Sequence, residues 1–268
     1  MIELCENHYT PEILKDPRNW LYRSTEKPGM QVVVSPYNSA CLATWAFRLN
    51  LNKGDMYEMQ DKLLELNAVV VQGRVHITHS SKPQTILQKL DSFYLPSQES
   101  VQITAEIDTV MYIGGAVCEG EGKFFVRKYE ADLPLGEIHQ IHGETPFERE
   151  VFMTVNQEVP ASRLIDGLTW GADGMWTSWP PHQHTKDLEE VYCYFDLKQP
   201  KFALHLSSRY PEKVEAVHPV STGDFVVVPE GYHPTVSTPG SRSSYFWIMA
   251  SHSRESRRYD LAKADFGI

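Results

Sequence analysis

Short stretches in which apolar and polar residues alternate, or in which β-branched and aromatic residues cluster, recur along most of the chain. Gln31–Val34, Cys41–Leu49, Ala68–Gln72, Gln102–Ile107, Val110–Ile113, Lys123–Arg127, Val191–Phe195, Phe202–Leu206, Phe225–Val228 and Tyr245–Met249 follow this pattern. Gly, Pro, Asn, Asp or Ser clusters bound each stretch, so each reads as a strand. The 16 glycines and 17 prolines are scattered throughout and leave little room for long helices. Only Pro11–Lys15 and Ser253–Lys263 carry a helical pattern. The pattern therefore predicts an all-β chain built as sandwiches or barrels.

A faint internal repeat runs through these strands. Asp91–Pro96 and Asp224–Pro229 are each an acid leading an apolar strand into a proline, and Tyr112 and Tyr245 follow at the same distance. Upstream, Leu63–Leu66 precedes one strand much as Leu188–Glu190 precedes another. Three matches in one order point to a duplication. Apolar periodicity lapses over Asp132–Glu150, which places the expected units at 1–140 and 141–268.

Composition narrows the class. The 268 residues suit about two domains, and 41% hydrophobic against 22% charged residues is globular rather than disordered. The net charge is −10 and no Lys/Arg run could track a phosphate backbone, so nucleic acid is not an expected partner. No apolar run approaches the ~18 residues of a membrane span, so no membrane partner is expected either. The start, Met1–Asn7, lacks the basic and apolar regions of a secretory leader, and a cytoplasmic location is expected. Cys5, Cys41, Cys118 and Cys193 are far apart with no ligand spacing and read as free thiols.

Chemistry concentrates in Pro180–Tyr192. In an extended chain His182 and His184 share a face, and a turn over Thr185–Leu188 returns the next strand with a carboxylate at its start. Imidazoles and a carboxylate suit a divalent transition metal and leave coordination positions open. His233, after the strand ending at Pro229, is a further candidate. Strand parity sets Glu190 with Tyr192 and Tyr194, and Glu189 with Val191 and Cys193, so one of the two acids faces the metal and the other does not.

The sequences Trp176–His184, Glu189–Tyr192 and Val228–Pro234 resemble the 5-deoxy-glucuronate isomerase family of myo-inositol catabolism. Gly167–Thr169 and Phe202–His205 are closer to the related 5-keto-4-deoxyuronate isomerases of pectin breakdown. The resemblance implies a bicupin, two tandem jelly-roll β-barrels, over nearly the whole chain. It selects Glu190, which directly precedes a Val-Tyr pair, and so implies one metal per chain, zinc or manganese, on His182, His184, Glu190 and His233. The activity it implies is aldose–ketose isomerisation of a deoxy-uronate, with 5-deoxy-glucuronate the first substrate to consider. A homo-oligomer, dimer or larger, is implied by analogy. One departure bears on the substrate: only Thr185–Glu189 separates the histidine pair from its glutamate, where the inositol enzymes carry a longer acidic insertion. The alternatives are the 5-keto-4-deoxyuronate isomerisation of pectin breakdown and an Fe(II) dioxygenase, which the same ligands would serve.

In the first half, counting back from Glu65 as His182 and His184 stand from Glu190 gives Tyr57 and Met59, and Ser100 falls where His233 would. That half is expected to be metal-free. For the reaction itself, His205 is the candidate base, mid-strand with parity toward the barrel interior. Tyr245 and Trp247 are candidates to meet the sugar. Arg163 is the candidate partner of the substrate carboxylate, with Arg149 as a second arginine for that role.

Overall fold

The computed structural model describes residues 10–261. Its strands form two large and two small antiparallel sheets. The first half contributes a six-stranded sheet, in the order Phe125–Arg127, Ser92–Leu95, Leu64–Gln72, Thr109–Val117, Trp45–Leu51, Gly29–Val34. A four-stranded sheet of Met56–Gln60, Ser100–Ala105, Arg74–His79 and Lys82–Gln88 closes it. The second half repeats the plan. Its large sheet runs Asp224–Val228, Leu188–Tyr194, Ser244–Ser251, Leu164–Gly171, Arg149–Val155, His139–His142, and Trp176–Thr177, Thr235–Ser237, Ala203–Ser207 and Ala216–Val220 form its small one. The seventh strand of this large sheet is Leu21–Arg23, from the start of the chain, paired antiparallel with Asp224–Val228.

The strands read from the pattern are present, most of them longer than expected. The helix expected over Ser253–Lys263 is not formed: the chain there makes only a 3-10 turn at Tyr259–Leu261, and residues 262 and 263 lie outside the described residues. Pro11–Lys15 yields a single turn, Glu12–Lys15. Strands Arg74–His79 and Lys82–Gln88 carry too many polar residues to stand out in sequence, whereas Arg149–Val155, with Val151–Val155 buried, was passed over at the expected boundary. The boundary drawn at 140/141 falls inside the strand His139–His142, which pairs with Arg149–Val155. Cys41, Cys118 and Cys193 are free thiols, and Cys5 lies outside the described residues.

Alternation along two matching strands sorts the core. In Leu64–Gln72 the residues Leu66, Ala68 and Val70 point into the first barrel, which is filled by Leu49, Met59, Ile77, Phe93, Leu95, Ile103 and Met111. The intervening Val69 and Val71 join the core shared with the second half. In Leu188–Tyr194, Val191 and Cys193 face that shared core, while Glu190, Tyr192 and Tyr194 turn into the second barrel.

Two buried carboxylates tie the halves together in a reciprocal way. Glu189 accepts the backbone N–H groups of Leu42, Ala43 and Thr44, at 2.8, 2.6 and 2.6 Å. Glu65 accepts those of Ser162, Arg163 and Leu164, at 2.7, 2.6 and 2.8 Å, together with the Tyr94 hydroxyl at 2.6 Å. Glu65 pairs with Ala116 as Glu189 does with Ala250, and Leu66 pairs with Leu95 as Glu190 does with Val228. Glu65 is thus the counterpart of Glu189, not of Glu190 as the sequence count assumed. Leu66 occupies the place of Glu190.

Removing the Glu65 carboxylate strands three buried N–H donors and a hydroxyl. Glu65→Ala is expected to lower the unfolding free energy by ~3 kcal/mol or more. Glu65→Gln, which keeps one acceptor oxygen, is expected to lower it by less. Urea titrations of both variants beside the parent protein measure the difference.

Candidate metal centre and active site

Inside the second barrel, one potential ligand atom each from His184, Glu190 and His233 lies within 4.8 Å of the other two, and all three residues are buried. The Nε2 atoms of His184 and His233 are each 3.2 Å from Glu190 Oε2. His182 stands beside this trio, its ring 4.9 Å from that of His233 and 6.4 Å from that of His184. Of the four residues named from sequence, three converge closely and the fourth flanks them.

Local structure explains the convergence. His184 O accepts the N–H groups of Asp187 and Leu188, a tight turn that feeds straight into Leu188–Tyr194 and brings Glu190 back under the histidines. Thr185 Oγ1 accepts the Gly231 N–H at 2.9 Å and so fastens the His182–His184 loop to the loop bearing His233. Gly231 has φ +81°, and a Cβ there would lie 2.2 Å from Ser208 O, so only glycine fits this crossing.

The imidazoles are all oriented alike. Nδ1 faces a backbone carbonyl in each: Pro180 O at 3.0 Å for His182, Leu188 O at 2.9 Å for His184, Gly231 O at 3.2 Å for His233. A ring that donates through Nδ1 presents Nε2 as a lone pair, the arrangement by which outer hydrogen bonds orient metal-binding histidines. His233 Nε2 is buried, and the Glu190 carboxylate at 3.2 Å is the polar group it faces. Burial pushes Glu190 up, but His184 and His233 at its edge outweigh that and hold it down at about 2. Burial, with His233 next, lowers His182 to about 3. Two nitrogen lone pairs converging on an ionised carboxylate require positive charge among them, as a proton on each ring or as one cation. The donor set fits a divalent metal.

A pocket of about 270 Å³ opens over His182, His184 and Glu190. Its walls include Trp179, Tyr192, Tyr245, Trp247 and Tyr259, and Arg149 and His142 bring polar groups to it. Arg149 donates through Nη1 to Trp179 O at 3.2 Å. Ser178 and Tyr192 hydroxyls meet at 2.5 Å, and Trp247 Nε1 donates to Thr169 Oγ1 at 3.0 Å. Burial raises the Tyr192 and Tyr245 hydroxyls above their ordinary range, so both stay protonated donors at neutral pH.

Tyr245, one of the candidates named from sequence, lines this pocket. The other two candidates for the reaction do not. Arg163 is absent from the pocket lining; its Nη2 pairs with Glu119 at 2.6 Å and its Nη1 donates to Ser251 O at 3.1 Å. The clamp by Glu65 holds its backbone at the junction of the halves, and its side chain follows. His205 does face the barrel interior, as its parity predicted, but it is 0% exposed and does not line the pocket. Tyr192 covers it, ring against ring at 4.9 Å, and Tyr194 takes its Nδ1 at 2.8 Å. Burial lowers its pKa well below the ordinary imidazole range. It is a core histidine of the barrel floor.

The sequence reading passed over His142 and Tyr259. Tyr259 reaches the pocket because Arg257 anchors the final segment on the carbonyls of Leu164, Gln157 and Asn156, at 2.8, 3.1 and 2.9 Å. It stacks on Trp247 at 5.6 Å. Neither residue carries a local motif; only the closed fold brings them to the site.

Residues 20–264 match the model of the KduI/IolB family. The chain belongs to that family. A curated relative, the 5-deoxy-glucuronate isomerase of Geobacillus kaustophilus strain HTA426, is 29% identical over 218 residues, covering 76% of this chain and 78% of that protein. Among solved structures, an IolB-like protein from Salmonella typhimurium LT2 superposes with a TM-score of 0.76 at 22% identity, over 88% of this chain and 94% of that one. A cupin 2 conserved barrel domain protein from Leptotrichia buccalis gives 0.51 at 11% identity, over 85% and 92%. The fold is a two-domain cupin, as the motifs implied.

Burial also lowers His218, the cross-strand partner of His205. Both take up a proton more readily unfolded than folded, so their neutral forms support the fold above a pH of about 6.5, and that support is lost as pH falls. Metal-free protein is expected to lose up to ~1.4 kcal/mol per pH unit for each such histidine below that point. Urea unfolding at a series of pH values reads the slope, which should be shallower in His205→Asn.

Proposed function

We propose that this chain is a metal-dependent aldose–ketose isomerase of deoxy-uronates, converting 5-deoxy-glucuronate to 2-deoxy-5-keto-gluconate in the cytoplasm, and working as a homo-oligomer. The observation that carries the reading is the cluster of His184, Glu190 and His233 beside a pocket that His182, His184 and Glu190 line together with an arginine, Arg149. The relatives' shared name gives the isomerase class. The first barrel, packed solid with apolar side chains, is read as a metal-free scaffold.

His184, Glu190 and His233 would hold the cation, with His182 next to them. Such an ion, zinc or manganese on this donor set, supplies Lewis acidity at the substrate carbonyl and its neighbouring hydroxyl. The chain's own groups do the rest. Arg149 is the residue placed to take the substrate carboxylate, since a guanidinium binds it through two parallel N–H groups. Tyr245 presents a protonated hydroxyl to a sugar oxygen. Trp179, Trp247 and Tyr259 enclose the sugar and limit water at a carbon whose proton is moving.

Two experiments test the reading. Purified protein should hold close to one equivalent of zinc or manganese by elemental analysis, and His184→Ala should hold almost none. Turnover of 5-deoxy-glucuronate should vanish on chelation and return with added metal; a metal-loaded protein inert toward it but active on the 4-deoxy-5-keto-uronate would move the substrate to the pectin branch. Metal-dependent oxygen consumption would instead identify a dioxygenase. For the arginines, Arg149→Met should raise KM about 10- to 100-fold, and Arg163→Met should leave KM unchanged. The reverse result would return the carboxylate to Arg163.

A further inference from the structure

A second cleft, of about 600 Å³, opens between the two halves and shares no lining residue with the metal pocket. The first half lines it with Arg48, Asn50 and Tyr112, and the second with the segment from Phe195 to Gln199 and with Ser221 and Thr222. Arg48 is 6% exposed. Its Nε donates to Asn50 Oδ1 at 2.8 Å and its Nη1 to Ser24 Oγ at 3.0 Å, both neutral acceptors. A guanidinium carries five N–H donors. Among the described residues no carboxylate oxygen lies within 4.0 Å of it. The buried acid next in the chain to Gly223, Asp224, makes its contacts elsewhere, accepting the Ser221 N–H at 2.8 Å and lying 3.9 Å from Arg23 Nε. Gly223, at φ +94°, gives the guanidinium its room, since a Cβ there would lie 3.0 Å from Nη1.

A buried cation without a counter-charge is expensive to retain. The acids of the cleft do not supply one. Glu26, Asp108 and Asp196 are exposed at its mouth, where water screens them. Asp196 is also paired with Lys89 at 2.6 Å, and Asp108 accepts the Lys53 N–H at 2.8 Å. The lining also holds the Gln72 amide and the Ser221 and Thr222 hydroxyls, with Lys198 at the rim.

We propose that this cleft binds a small hydroxylated oxyanion, a sugar acid or a sugar phosphate, with the Arg48 guanidinium as its anchor. The oxyanion supplies the charge that the fold leaves out, and the amides and hydroxyls suit a polyol chain. The inference does not rest on the reading of the metal pocket.

Calorimetric titration of the full chain with D-gluconate and with glucose 6-phosphate tests it. Saturable binding of at least one probe, near one site per chain, is expected. Arg48→Met should weaken it by about tenfold or more, whereas Arg149→Met, in the other pocket, should leave it intact. Binding of gluconate alone identifies a sugar acid, and of glucose 6-phosphate alone a sugar phosphate. If Arg48→Met does not fold, Lys198→Glu on the exposed rim should weaken binding several-fold, most strongly at low salt. The proposal is overturned if neither probe binds, if binding survives both the Arg48 and Lys198 changes, or if Arg149→Met alone abolishes it.

Discussion

Two glutamates hold this molecule in its working form. Each sits at the start of a central strand, each is buried, and each gathers three consecutive backbone N–H groups from the other half. Six amide groups that would otherwise be stranded between two β-structures are satisfied by two side chains. The pairing also fixes register. With Glu189 locked on Leu42–Thr44, its neighbour must face the opposite way, and that neighbour is Glu190. The orientation of the carboxylate that meets His184 and His233 follows from an interaction made on the other face of the strand.

The same frame supports opposite interiors. Leu66, Ala68 and Val70 in one barrel occupy the positions of Glu190, Tyr192 and Tyr194 in the other. The first interior is filled by apolar side chains, while in the second aromatic ones with hydroxyl tips border a pocket whose polar atoms find each other, as Ser178 and Tyr192 do. One barrel is an apolar core and the other a lined cavity, on the same order of large and small sheets.

Much of this was legible from the sequence, for identifiable reasons. Strand parity correctly divided Glu189 from Glu190, because alternation is a local property of extended chain. The histidine loops were legible because short spacing limits where side chains can go. The surroundings of Arg163 and His205 were hidden for the opposite reason. The sequence shows that His205 points inward, but not that Tyr192 lies between it and the cavity; it shows Arg163 near the metal strand, but not that Glu119, from the other half, takes its charge. His142, Tyr259 and the Arg48 cleft are assembled from segments far apart in the chain, and no window of sequence contains them.

The strand Leu21–Arg23, given by the first half to the second, has a consequence for how the protein can be divided. It covers Asp224–Val228, a run whose buried residues include Phe225 and three valines in succession. A fragment beginning after the first barrel would carry that run as a bare edge, with open N–H and C=O groups ready to recruit the same strand of another copy. The two barrels look like separable modules, yet the second is finished only by residues synthesised before the first. Shuffling or truncating this chain between its barrels would therefore yield a sticky sheet rather than a smaller enzyme.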